Sequence, residues 1–461
     1  MKYISTRGEK NVTFTQTVLN GLAPDGGLYL PTHYPKISPK NIANMDKFNY
    51  LQIAEGIMWS FVKDDMEKEV FQHIIRQAYS QFDNIEITPV KKLEDDIYML
   101  ELFHGPTLAF KDVALQMLGK IMDWALTKED TTATVIAATS GDTGPAAIAG
   151  LTGLTNVKAV ILFPKDKVSN IQQRQMTTTM QKNIFPIAVE GTFDDCQMLV
   201  KQMFNDIEFR TRIKATAINS ISWARLIPQI VYYFYAWSRI PKEQRENLYI
   251  SVPTGNFGDI FAGYVAKQMG LPFQKLIIAS NENDILTRFI HDGDYSTKDV
   301  TQTCAPSIDI QVASNFERML FDVISKDSSR LNKMMDEFTT TGVLPKLSDN
   351  EMAKMRSIFN ASSASEEEVH VAMHEAYEKY GILIDPHTAV GLAAVYARPG
   401  MRPALCFSTA HPAKFPDAVE AGTGVRPELP QRLQHILKAD EVFDTVPNDI
   451  NAIKDYINQY V

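Results

Sequence analysis

From residue 97 onward, short apolar runs alternate with stretches of helical periodicity, and this alternation limits the possible folds more than any other feature. Residues 97–102 read as a strand, and Ala114, Leu118, Ile121, Met122 and Ala125 then line one face of a helix. TATVIAA at 132–138 reads as another strand, followed by a helix over 145–151. Residues 158–163, 248–252, 276–279 and 404–408 are further strands, with a helix over 259–269. Parallel neighbours need a long crossover, and a helix is its usual form, so the pattern predicts βαβ units and parallel sheets. Ligands of such sheets bind beyond the carboxyl ends of the strands, so the strand-to-helix junctions are the places to look for chemistry.

The first 90 or so residues have a different texture. Phe14, Val18 and Leu22 recur at helical spacing before Pro24-Asp25-Gly26-Gly27 breaks the chain, which predicts a small separate unit. At about 150 residues per domain, 461 residues suggest three domains, or two with an appendage. Ser365 ahead of Glu366-Glu367-Glu368 reads as a capping box opening a helix. The net charge of −9 gives no general attraction to phosphate backbones, which argues against nucleic-acid binding. Cys196, Cys304 and Cys406 are widely spaced, which suggests a reducing compartment with neither a disulfide framework nor a zinc site. His370 and His374 are one turn apart without an HExxH motif or an evident third ligand, so no metal site is expected. The N-terminus lacks a signal-peptide core, and the apolar stretch 226–240 is too short to span a bilayer and contains Pro228 and Gln229. A soluble, cytoplasmic protein is expected.

Four junctions offer chemistry. In HGPTLAFKD (104–112), Lys111 lies on the apolar stripe of the following helix. It is either a snorkelling side chain at a helix end or a desolvated amine with a lowered pKa, free for Schiff-base chemistry. In TSGDTG (139–144), amides and hydroxyls at a helix start suit a carboxylate or phosphate, or simply cap the helix. TGNFGD (254–259) matches neither GxxxxGK[ST] nor a full GxGxxG and reads as a phosphate cradle. STAHPAKF (408–415) follows strand ALCF, where small hydroxyl residues can face a heterocycle or form an ordinary turn. Outside these junctions, Asn219 and Arg225 stand six residues apart; Arg225 either grips phosphate or makes an exposed salt bridge.

In this order, HGPTLAFKD, TSGDTG, NSIxxxR, GNFGD and STAHPAKF resemble the threonine synthase family, as do the leading KYISTRG and GLAPDGGLYLP. The resemblance spans nearly the whole chain and is to the longer bacterial and fungal branch. It implies an α/β protein of pyridoxal-phosphate fold type II: two open, twisted α/β domains with parallel sheets plus a small N-terminal domain. The implied boundaries are 1–90 for the N-terminal domain, 91–112 with 223–461 for the large cofactor domain, and 113–222 for a small mobile domain. The cofactor implied is pyridoxal 5′-phosphate, with Lys111 as its Schiff-base lysine, Gly255, Asn256, Phe257 and Gly258 cradling its phosphate, and Thr409 facing the pyridine nitrogen. Thr139, Ser140 and Thr143 would hold the substrate carboxylate, and Asn219 and Arg225 the substrate phosphate. Asp142 stands where other branches carry asparagine, so no contact is carried over to it. The implied reaction converts O-phospho-L-homoserine and water to L-threonine and phosphate, in a monomer or homodimer. The rivals are a serine or threonine dehydratase-like enzyme of the same cofactor class and a non-catalytic binder of a phosphate ligand.

Overall fold

The computed structural model describes residues 1–461. Its strands are β1 Tyr3–Ser5, β2 Tyr29–Pro31, β3 Val90–Lys92, β4 Ile97–Glu101, β5 Ala133–Ala138, β6 Val157–Pro164, β7 Ile184–Glu190, β8 Ala215–Thr216, β9 Tyr249–Pro253, β10 Lys275–Ser280, β11 Phe359–Ser363, β12 Ala404–Ser408 and β13 Asp444–Pro447. The predicted strands form within a residue or so of their expected ends. Their apolar runs are buried on both faces, as parallel strands covered by helices require.

Two sheets carry the site. The larger has the order β11-β10-β9-β12-β4-β3, parallel except for β3 at the edge. The smaller, β13-β7-β6-β5-β8, is wholly parallel. In the larger sheet the strand order reverses between β9 and β12, and in the smaller between β5 and β8. A crevice opens at such a switch point. The segments leaving β9, β12 and β5 are TGNFGD, the turn after ALCF, and TSGDTG; β8 leads into Asn219.

Helix Lys111–Lys128 joins the two halves, packing on helix Thr143–Leu151 on one side and on helix Trp223–Arg239 on the other. The first contact is very close: a Cβ on Gly119 would lie 2.0 Å from the carbonyl oxygen of Gly150. Only glycine allows the two backbones to meet there.

The expected boundaries need two corrections. Residues 223–461 do not all belong with the larger sheet: β13 pairs in parallel with β7, and helix Ile450–Tyr460 packs on helix Phe193–Asn205, so the chain end returns to the smaller sheet. Nor do the first 90 residues keep a core of their own. Tyr3, Tyr50 and Phe61 are buried in one continuous cluster with Trp223 and Tyr232. Leu22, expected on the first helix, lies beyond helix Phe14–Asn20 and is exposed. The capping box at Ser365 and Glu368 forms as predicted. No helix is long and apolar enough to cross a membrane.

Candidate active site

Lys111 is the first residue of its helix, and two junctions are stitched together around it. The Phe110 N–H donates to the Thr409 carbonyl at 2.8 Å, and the His411 N–H to the Leu108 carbonyl at 3.0 Å. Buried Asp112 braces the turn, accepting from the Thr107 N–H at 2.8 Å and the Thr107 hydroxyl at 2.6 Å. The Lys111 ammonium is buried yet loosely held, 3.4 Å from Asp142 Oδ2 and 3.5 Å from Ser307 Oγ. Burial lowers its pKa, Asp142 works against that shift, and the charges of Arg225 and Lys414 add to it. Of the two sequence readings, the desolvated amine fits this setting.

Asp142 is the hub. It arises from the smaller sheet and reaches residues attached to the larger one. Its Oδ1 lies 3.0 Å from Lys414 Nζ and 3.0 Å from Gln172 Nε2, and its Oδ2 accepts from Ser307 Oγ at 3.4 Å. Burial favours protonation of this carboxyl, but Lys414 and Lys111 outweigh it and hold the pKa well below the usual carboxylate range. Lys414 is fully buried and donates also to the Thr107 carbonyl at 2.8 Å and Gln175 Oε1 at 3.2 Å. Behind Ser307, His387 Nε2 accepts the Ser307 N–H at 3.0 Å, so its Nδ1 carries the proton donated to Asp385 at 2.7 Å.

The glycine loop is an array of free donors. Gly255, Asn256, Gly258 and Asp259 donate their N–H groups to no protein acceptor. Phe257 holds a left-handed conformation at φ 62° with its ring buried, and helix Gly258–Met269 has no side-chain cap. Asn256 Oδ1 accepts from Ser314 Oγ at 3.1 Å, and Ser314 meets Ser220 Oγ at 3.3 Å, which laces this loop to the turn carrying Asn219.

Arg225 refutes the exposed salt bridge. It is 4% exposed, forms no salt bridge, donates from Nη1 to the Ile218 carbonyl at 3.0 Å, and has a buried Nε with no partner. Burial lowers its pKa to about 10, so it stays charged at neutral pH. A buried cation without a counter-charge is costly unless an anion completes it. Its charge depresses the Lys111 pKa, so the two share one electrostatic environment.

The remaining predicted residues vary in commitment. Thr139 is buried, and its Oγ1 accepts from the Gly141 and Gly144 amides at 3.1 and 2.9 Å, leaving its hydroxyl proton to donate. The hydroxyls of Ser140 and Thr143 and the side-chain amide of exposed Asn219 have no protein partner. Thr409 is nearly buried; its N–H donates to Thr388 Oγ1 at 3.2 Å while its own hydroxyl has no protein partner.

The threonine synthase N terminus family matches residues 2–79, the pyridoxal-phosphate dependent enzyme family residues 81–347, and the threonine synthase C-terminal family residues 388–457. The threonine synthase of Pseudomonas aeruginosa is 42% identical over all of this chain and 98% of its own. The chain belongs to the threonine synthase family. Its structure resembles the pyridoxal-phosphate-bound threonine synthase of Brucella melitensis, with a TM-score of 0.96 at 42% identity over 100% of this chain and 99% of that one. The yeast threonine synthase gives a TM-score of 0.94 at 35% identity over 100% and 98%. Fold type II and the pyridoxal-phosphate cofactor follow. The residues fit that group: a buried, loosely held lysine, a loop of unpaired amides and a free hydroxyl at a strand end suit an aldehyde, a phosphate and a ring nitrogen.

Several members of the network escape a reading of the sequence. Lys414 stands inside STAHPAKF without a role there, and Asp142 carries no transferred contact. Gln172, Gln175 and Ser307 give no local signal. Asp385-Pro386-His387 is legible as a helix start but not as the support of an active-site serine.

Proposed function

We propose that the site converts O-phospho-L-homoserine and water to L-threonine and phosphate, with Lys111 carrying the proton transfers. Two separate anion sites support this substrate. The amides at 255–259 suit the cofactor phosphate, and uncompensated Arg225, with Asn219, suits a second phosphate on the substrate. Thr139, Ser140 and Thr143 hold the substrate carboxylate at the end of β5. Thr409 meets the ring nitrogen with a neutral hydroxyl.

Bound pyridoxal phosphate supplies an electron sink for the charge left at Cα. The protein supplies the rest. Burial favours the neutral form of the Lys111 amine, the form able to take the Cα proton, and Asp142 steadies the ammonium that results. A proton must also leave Cβ so that the γ-phosphate can depart, and Lys111 is the base placed to move it. Arg225 stabilises the leaving phosphate. Water must stay out during elimination and enter afterwards. The part built on the smaller sheet, roughly 113–222 with the returning chain end from Asp444, opens and closes over the crevice, with Asp142 closing it against Lys414.

Buried Arg225, which has no counter-charge and an unsatisfied Nε, carries this reading, since a serine or threonine dehydratase needs no second phosphate site. The test is phosphate release from O-phospho-L-homoserine with threonine identified in the same tube, and L-serine and L-threonine as competing substrates. Lys111→Ala is expected to abolish both products and the visible absorbance of the bound cofactor. Threonine formed at an undiminished rate by that variant, or keto-acid production dominating in the native protein, refutes the proposal.

A further inference from the structure

His370 lacks a metal partner in the sequence, but the fold supplies two. Glu366 lies one turn before it on helix Glu366–Tyr380, and Cys304 arrives from the loop leading to Ser307. The Cys304 sulfur, a Glu366 oxygen and a His370 ring nitrogen all lie within 4.8 Å of one another. All three residues are half-buried, and neither the His370 ring nor the Cys304 sulfur makes a hydrogen bond elsewhere. The Glu366 carboxylate accepts the Cys304 N–H at 3.1 Å, holding loop and helix in register.

We propose that Cys304, Glu366 and His370 form a site for a zinc-class divalent cation, separate from the active site. Sulfur and imidazole ligands favour such an ion over magnesium or calcium, which take oxygen. Thiolate and carboxylate together neutralise a charge of two. Bond lengths of about 2.0–2.3 Å bring tetrahedral ligands to within about 4 Å of one another, so small rotamer changes close the set. Three protein ligands leave a fourth position open to water. On binding, the Cys304 thiol gives its proton to solvent as the sulfur–metal bond forms. Glu367, Glu368 and Glu282, whose Oε1 accepts the Glu366 N–H at 3.3 Å, add negative charge nearby.

The site lies behind the catalytic wall. Ser307 follows Cys304 by three residues, and Asp309 ties the segment by accepting from the Thr303 N–H at 2.9 Å and hydroxyl at 2.7 Å. A cation there would fasten the loop that sets Ser307 against Lys111 and Asp142 to the helix.

Zinc binding to the holoenzyme, measured by competition with a chromophoric chelator and by elemental analysis after gel filtration, tests the site. One zinc per chain is expected, with affinity falling at least about tenfold in Cys304→Ser and in His370→Ala. His374→Ala, a turn further along and exposed, is the control and should bind as the native chain does. Zinc should also protect Cys304 from alkylation under native conditions, where Cys196 and Cys406 are fully buried. Should Cys304→Ser fold poorly, His370→Ala decides alone. Absence of stoichiometric zinc in the native enzyme, or equal affinity in His370→Ala and His374→Ala, overturns the proposal.

Discussion

Replacing Lys414 with methionine isolates what the Asp142 hub does. The substitution keeps an unbranched side chain as far as Cε and removes an ammonium that is fully buried and bonded to Thr107, Asp142 and Gln175. Breaking one side of a buried ion pair costs about 3–5 kcal/mol, because the surviving charge stays buried without its partner. Asp142 keeps Gln172 at 3.0 Å, Ser307 at 3.4 Å and Lys111 at 3.4 Å, so its charge then falls on Lys111. Two changes act on Lys111 in the same direction. A positive neighbour that lowered its pKa is gone, and a carboxylate that raises it is no longer shared. The lysine therefore titrates higher, and less of it is neutral at pH 7. The limb of the kcat profile, which reports groups of the substrate-bound enzyme where the Lys111 amine is free, moves to higher pH, and every tenfold fall in the neutral fraction lowers kcat at pH 7 by about tenfold. Urea unfolding of Lys414→Met, Asp142→Asn and the double variant measures the stability side. The double variant leaves neither charge stranded and should recover about 1–3 kcal/mol relative to the sum of the single losses. Coupling under about 0.5 kcal/mol, or an unmoved pH limb in Lys414→Met, refutes the reasoning.

Arg225→Ala should lower kcat/KM by about 30-fold to several-hundred-fold, equivalent to about 2–4 kcal/mol, while cofactor affinity is retained; steady-state kinetics and cofactor titration separate the two. Asp259 is buried beneath the glycine loop, and burial raises its pKa to about 7 against hydrogen bonds from Tyr232 and Tyr233. Because the folded state holds this proton more tightly than the unfolded chain does, its contribution is full below about pH 4 and is lost up to about pH 7, a fall of about 4 kcal/mol at most. Asp259→Asn should flatten that slope when urea midpoints are compared between pH 5 and pH 8. Thr409→Ser should be nearly silent. Thr409→Asp should raise the pKa of the ring nitrogen through its opposite charge, alter the cofactor spectrum and shift products toward keto acid; a native spectrum and product ratio would show that residue 409 does not face the ring.

The sheets were legible where strands are covered on both faces. Residues 404–408 and 133–138 are continuous apolar runs because helices lie above and below them, and turn residues end them sharply. The strands that escaped detection lack that signature. β7 contains Pro186, which cannot donate to a ladder; β11 reads Phe-Asn-Ala-Ser-Ser; and β8 has two residues. Their place is set by neighbours distant in sequence, as β11 is by β10. The return of β13 to the smaller sheet was illegible for the same reason: Asp444–Pro447 is mostly exposed, and only its pairing with β7 says where it belongs.

The site was legible as a set of segments and not as a set of charges. Each of the five motifs marks a place where backbone or side chain meets a ligand, and such local needs leave local patterns. A charge balance leaves none. For Lys111, a snorkelling end and a desolvated amine predict the same apolar stripe; they differ in what surrounds Nζ, and those groups come from Asp142, Lys414, Ser307 and Arg225 on four other segments. For Arg225, a salt bridge is the usual expectation of a lone arginine, and what removes it is the lack of any carboxylate nearby in space. The same argument applies to Asp142. Read alone it looks like a departure from asparagine, yet Lys414 gives the carboxylate its counter-charge from the far end of the chain. An asparagine there would leave the fully buried Lys414 ammonium without its counter-charge, which is a physical reason for the acid at this position in a chain that also carries Lys414.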